Sequence, residues 1–227
     1  MAQPRVFAYI ITTVGSNYEL RGSVPWVKEG KVFFGPCKKK MRTHVREGDY
    51  IMGISPAGVG EQRRVLLWMR VGEKMAFAEA YQRGETDRLF RLARRNAIHI
   101  RPKRGVGHVD GDPDTYDHIP HATHSTDWRT DIKGKRDVFF TGENCSWVAG
   151  KGGPVVTEEL VDLLREGIPW RGHATVRNPL TENPRGKHAL LTWSAARRVI
   201  EWIPEPTKRL LSSSSKARCC QRKCSCE

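Results

Sequence analysis

Apolar positions in the first third of the chain come in short runs broken by glycine and charge, the spacing of strands rather than of long helices. RVFAYIITTV at 5–14 is β-branched and aromatic and predicts a buried strand. GKVFFG at 30–35 predicts a second strand, and EGDYIMGISP at 47–56 a third, led in by the Glu47-Gly48-Asp49 turn and stopped by Pro56. RRVLLWMRVGEKMAFAEAY at 63–81 starts as a strand through Val71; after Gly72 its pattern fits a helix and a further strand equally. Asp87 opens a helix over DRLFRLARRNA, with Leu89, Leu92 and Ala93 on one face and arginines around them. Residues 99–135 are rich in Gly, Pro, Asp and His without periodicity and read as a long loop excursion. DVFFTG at 137–142 returns to strand. Thr157 caps a helix over EELVDLLREG, and Ser194 caps AARRVIEWI, which Pro204 stops. Strands and helices do not alternate as parallel βαβ units would, so the class is α+β, a small, strongly bent mixed sheet or partly closed barrel with peripheral helices.

Length and composition set the frame around that pattern. The 227 residues suit one domain, taken here as 1–204, followed by a polar, basic Ser/Cys-rich tail over 205–227 that reads as disordered. Hydrophobic residues make up 38% of the chain, with seven Trp and seven Phe, enough apolar mass for a core. No apolar run reaches the roughly 18 residues that span a bilayer, and no long amphipathic basic helix faces a membrane. Cys37 and Cys145 stand alone while four more thiols crowd the tail, which is no disulfide framework, so a cytosolic protein is expected.

Charge narrows the partner. Thirty-nine Lys and Arg against 25 Asp and Glu leave a formal +14, a field that gathers polyanions, and nucleic acid or a nucleotide is the expected partner. The densest knot, Cys37-Lys38-Lys39-Lys40-Met41-Arg42, falls between two predicted strands, where rigid flanks hold donors at one end of a sheet. Arg42 offers a two-pronged contact to phosphate, and Lys38, Lys39 and Lys40 general attraction. A solvated turn is the plain alternative. Tyr9, Trp26 and Trp147 are candidates for stacking on a base, Trp26 and Trp147 because both lie in polar, Gly-rich surroundings.

Other motifs are less specific. ENCSWVAGKGGP at 143–154 has the glycines of a phosphate loop without the P-loop order. GHVDGDPDTYDHIPHATH places His108, His118, His121 and His124 beside Asp110, Asp112, Asp114 and Asp117, residue types that bind divalent metal, but the spacing matches no established metal motif and a polar exposed loop is the expectation. WRGHATVRNP sets Arg171 and His173 about a glycine; His173 suits a general base or a base-edge contact, with Cys37 or Cys145 as nucleophile if folding brings either close, or is a satisfied structural histidine. The thiols of CCQRKCSC do not follow paired zinc hooks. No metal and no cofactor is expected.

Four stretches, FAYIITTVGSNYE, GPCKKKMR, REGDYIMGIS and RDVFFTGENCSWVAG, in this order and spacing, resemble the second type of nucleotide-modification-associated domain over residues 5 to about 180. The resemblance implies a place in systems that alter nucleobases in phages and bacteria, without a settled reaction. VREGDYIMGIS followed by RRVLLWMRVGEKM is similar to the PUA-like group with its EVE and ASCH domains, which implies a small bent barrel and an aromatic-lined pocket for a modified base. The chain departs from the first family in having Thr12-Thr13-Val14-Gly15 where an acidic residue would follow the opening threonine, and Cys37 alone, after Pro36, where paired cysteines precede the basic turn. The resulting expectation is a nucleic-acid or nucleotide-binding module associated with modified bases, with a nucleotide- or nucleobase-directed enzyme using His173 as acid or base as the rival.

Overall fold

The VFAYI run is apolar at every position because both of its faces are covered. In the computed structural model, which describes residues 3–203 apart from 12, 19, 21–24, 36–37, 95, 121–127, 144–152 and 167–188, it forms β1 (Val6–Ile10), buried throughout. Phe7 and Tyr9 join one apolar cluster while Val6, Ala8 and Ile10 join the other, as a period of two demands.

In chain order there follow β2 (Trp26–Lys28), β3 (Lys31–Phe34), α1 (Lys39–His44), β4 (Tyr50–Ile54), β5 (Val65–Met75), α2 (Phe77–Arg83) and α3 (Arg88–Ala93). Then come β6 (Ile100–Pro102), β7 (Tyr116–His118), α4 (Trp128–Ile132), β8 (Phe139–Glu143), α5 (Glu158–Arg165), β9 (Ala189–Leu190) and α6 (Trp193–Trp202). Seven strands make one mixed sheet in the order β2-β3-β8-β5-β4-β1-β9, with β1 and β4 its parallel pair and all other neighbours antiparallel. Helices α5 and α6 close one face through Leu160, Leu163, Leu164, Ala195, Ala196 and Val199. The other face is closed by Met41 and Val45, by Phe77 and Ala80 of α2, and by Phe90 and Ala93 of α3.

The expected α+β class and mixed sheet are present. Among the described residues no ladder joins β2 to β9, so the sheet is open and not closed into a barrel. No helix among them is long and apolar enough to cross a membrane.

Three local expectations change. The 99–135 excursion carries the β6-β7 ribbon, a 3₁₀ turn at Pro113–Thr115 and α4; Ile100 and Tyr116 turn inward and pack on the main core, which the polar neighbours hid. The last helix is capped by Thr192, whose hydroxyl accepts from the Ala195 N–H, not by Ser194. In α3 the buried residues are Phe90 and Ala93, and Leu92 lies toward solvent. Asp87 and Thr157 do cap as expected, Asp87 accepting from the Leu89 and Phe90 N–H groups and Thr157 from Leu160. Past Gly72, β5 runs on to Met75 before α2 begins, so both readings of that stretch hold in sequence.

Backbone passes backbone closely where β3 ends: a Cβ built on Gly35 would stand 2.1 Å from the Ala97 carbonyl oxygen. Neither group is at the end of a flexible side chain, so Gly35→Ala is expected to destabilise the fold by about 2–3 kcal/mol. The urea midpoint checks this.

Candidate phosphate-binding site

The basic run 38–42 is mostly a helix. Met41 and Val45 stand four residues apart, the spacing of one apolar stripe, and docking them on the core winds the intervening residues into α1. Lys38 precedes it in the left-handed region at φ 56°, with its ammonium 5.1 Å from the centre of the Tyr9 ring.

Helix formation sends the cations in different directions. Arg42, expected to reach phosphate, is fully buried. Its Nη1 donates to the carbonyls of Arg136 (2.8 Å) and Val138, its Nη2 to that of Asp131 (2.8 Å), and its plane lies over Phe77. That guanidinium is a structural bolt, and the expectation of an outward fork at Arg42 is corrected: burial and carbonyl acceptors occupy it. Lys39 donates to Thr130 Oγ1 at 3.0 Å and pairs with Asp131 at 3.4 Å. Lys40 is half-buried and its ammonium takes no ion-pair partner among the described residues. Tyr9 is 3% exposed, with Phe34 edge-on to it, so its ring is no open platform for a base. Trp26 lies tilted on Phe33, its partner across the hairpin of β2 and β3. Cys37, Trp147, Arg171 and His173 fall outside the described residues, as do His121, His124 and the cysteines of the tail.

What the bolt assembles was not read from the sequence. Pinning α1 to the carbonyls of 131–138 opens a recess of about 520 Å³ between them, lined by Thr43, His44, Lys133, Lys135 and Arg136. Among the described residues no acidic side chain lines it. Arg136 is steadied by a 3.1 Å bond to the Thr130 carbonyl, and His44 Nδ1 sits 2.7 Å from the Lys40 carbonyl oxygen. Lys133 and Lys135 have no carboxylate within ion-pair distance among the described residues. Several arginines elsewhere are matched, among them Arg83 to Glu73 and Glu79, Arg94 to Glu85, Arg88 to Glu29 and Arg197 to Glu201. The sequence signal for the recess is the basic run KGKR at 133–136 after an apolar-poor excursion, visible only once the chain path brings it to α1.

Behind His44 lies a second polar network. Asp49 is buried and accepts from the Arg5 N–H at 3.0 Å, from Arg5 Nη2 at 2.6 Å and from the Arg46 N–H at 2.7 Å, while Arg5 also donates to the His44 carbonyl at 2.6 Å. Lys74 donates to the Val45 carbonyl at 2.7 Å, and its pKa is lowered, chiefly by burial and then by the neighbouring Arg5 charge.

Comparison with known protein families, with curated proteins and with solved structures finds no match to this chain.

Two outcomes follow from these networks. Arg42→Met leaves buried carbonyls of the 131–138 turn without donors, so it is expected to cost about 3 kcal/mol in urea unfolding. Lys74, whose folded pKa lies below its unfolded value of 10.5, disfavours folding while protonated in both states; between the two pKa values the unfolded chain holds more protons and stability rises with pH. The stability difference between wild type and Lys74→Met should therefore move in favour of the wild type as pH is raised toward 10.5, read by chemical denaturation at several alkaline pH values.

Proposed function

We propose that the protein is a nucleic-acid-binding module that seats backbone phosphates in the recess between α1 and the 133–136 turn. The observation that carries this reading is the pair of unmatched cations, Lys133 and Lys135, facing Thr43 and His44 across a recess free of acidic lining among the described residues. An internal ion pair would already have satisfied them; a polyanion supplies the missing charge and releases counterions as it does. The Arg136 guanidinium adds donors of fixed position, and the net charge of +14 adds long-range attraction. Lys40, on the same helix, extends the track.

Of the described aromatic residues, Trp128 of α4 is half-buried and α4 is tied to α1 through Lys39, but His118 stacks on its ring and Arg129 lies over it, so the reading rests on phosphate contact and not on a stacked base. The association with modified bases is part of the proposal and is supported by the short stretches that resemble the nucleotide-modification-associated domain.

Fluorescence anisotropy with labelled single-stranded and duplex DNA and RNA, over a salt series, tests this reading. Binding should weaken steeply with salt, and Lys133→Ala with Lys135→Ala should flatten the log–log slope by about 0.7–0.9 per lost phosphate contact. No binding at about 50 mM salt, or a slope unchanged in the double variant, would remove the proposal.

A further inference from the structure

The turn that presents Lys133 and Lys135 to the recess also delivers a carboxylate to a second cluster. Asp137 follows that turn directly and is 8% exposed. Its Oδ1 accepts from the Phe77 N–H at 3.0 Å; its Oδ2 accepts from the Gly111 N–H at 2.8 Å and from the Tyr116 hydroxyl. Among the described residues no lysine or arginine pairs with it, so a negative charge is buried on neutral donors alone. Beside it, His108 Nε2 lies 2.7 Å from Asp110 Oδ1 and 3.3 Å from the Tyr116 oxygen. One ligand-capable atom from each of His108, Asp110 and Asp137 falls within 4.8 Å of the other two.

We propose that His108, Asp110 and Asp137 bind one divalent cation of the Mn²⁺ type. An imidazole nitrogen with two carboxylate oxygens is a hard to borderline donor set, suited to Mn²⁺ and leaving further positions for water or a ligand oxygen. Two carboxylates converge on one imidazole in a partly buried place, and one divalent cation balances their charge. The hydrogen bond between His108 Nε2 and Asp110 Oδ1 occupies the edge that the cation would take over.

The surroundings hold these ligands in position. The Phe77 and Gly111 N–H groups and the Tyr116 hydroxyl, all donating to its carboxylate, orient Asp137. Thr115 Oγ1 approaches His108 Nδ1 at 3.5 Å, on the side away from Nε2. Gly111, at φ 74°, lets the two loops close: a Cβ there would stand 2.7 Å from the Gly134 carbonyl oxygen, and the Gly134 N–H donates to the Gly111 carbonyl at 2.7 Å.

Mn²⁺ titration of the chelator-treated full chain, followed by electron paramagnetic resonance of free Mn²⁺, tests the site. Mn²⁺ is the probe because the thiols of the six cysteines disfavour it relative to zinc. One equivalent should bind, and His108→Ala and Asp110→Asn should each weaken it at least about tenfold, with Tyr116→Phe, a positioning change, costing about tenfold. Asp110 is largely exposed, so Asp110→Asn should leave the metal-free melting temperature unchanged, which separates lost ligation from lost folding. Failure to bind Mn²⁺ up to about 1 mM, or binding indifferent to both His108→Ala and Asp110→Asn, overturns the proposal. The inference stands apart from the phosphate recess: a chain that binds Mn²⁺ and no nucleic acid keeps this site and loses the other.

Discussion

The buried Arg42 guanidinium is the contact on which the geometry of both proposed sites depends. A charged group with no exposed surface is tolerated when its donors are fully used, and here they are spent on main-chain carbonyls from Asp131, Arg136 and Val138. Main-chain acceptors fix a path of chain, whereas a carboxylate partner would fix a single side chain. Through Arg42, α1 therefore dictates the course of residues 131–138. Because the carbonyls on either side of Asp137 face Arg42, the carboxylate of Asp137 is turned toward Phe77, Gly111 and Tyr116.

One turn thus has two working sides. Lys133, Lys135 and Arg136 face α1 across the recess, and Asp137 faces the His108 cluster. Positive and negative groups from neighbouring positions are kept apart by the backbone between them, so neither neutralises the other. The chain contains 25 acidic residues, but the two carboxylates nearest these cations in sequence are already engaged, Asp131 with Lys39 and Asp137 with two N–H groups and a phenol.

Much of the scaffold was legible because local rules decided it. β1, β3, β4 and the first part of β5 are apolar runs bounded by glycine, charge or proline, and Asp87 and Thr157 are caps whose chemistry acts within three residues. The site was less legible because it depends on contacts across some 90 positions in sequence, Arg42 to Arg136 and Val138. Seen in sequence, Arg42 and Lys40 are two cations in one polar run; Met41 and Val45 decide which of the two is carried inward. The 99–135 excursion was misread for a related reason. Its inward residues, Ile100 and Tyr116, are too sparse for a periodic signal, yet each is buried against a core made elsewhere.

The way the sheet is covered bears on where a ligand could sit. Strand β1, most of β4 and the first half of β5 are buried on both faces, under α5 and α6 on one side and α1, α2 and α3 on the other. Among the described residues its edge strands, β2 and β9, are three and two residues long, too short to recruit an added strand of useful length. Among the described residues, the segment 128–138 that leads into β8 is a connection that carries Lys133 and Lys135 without carboxylate partners and is held by the Arg42 guanidinium.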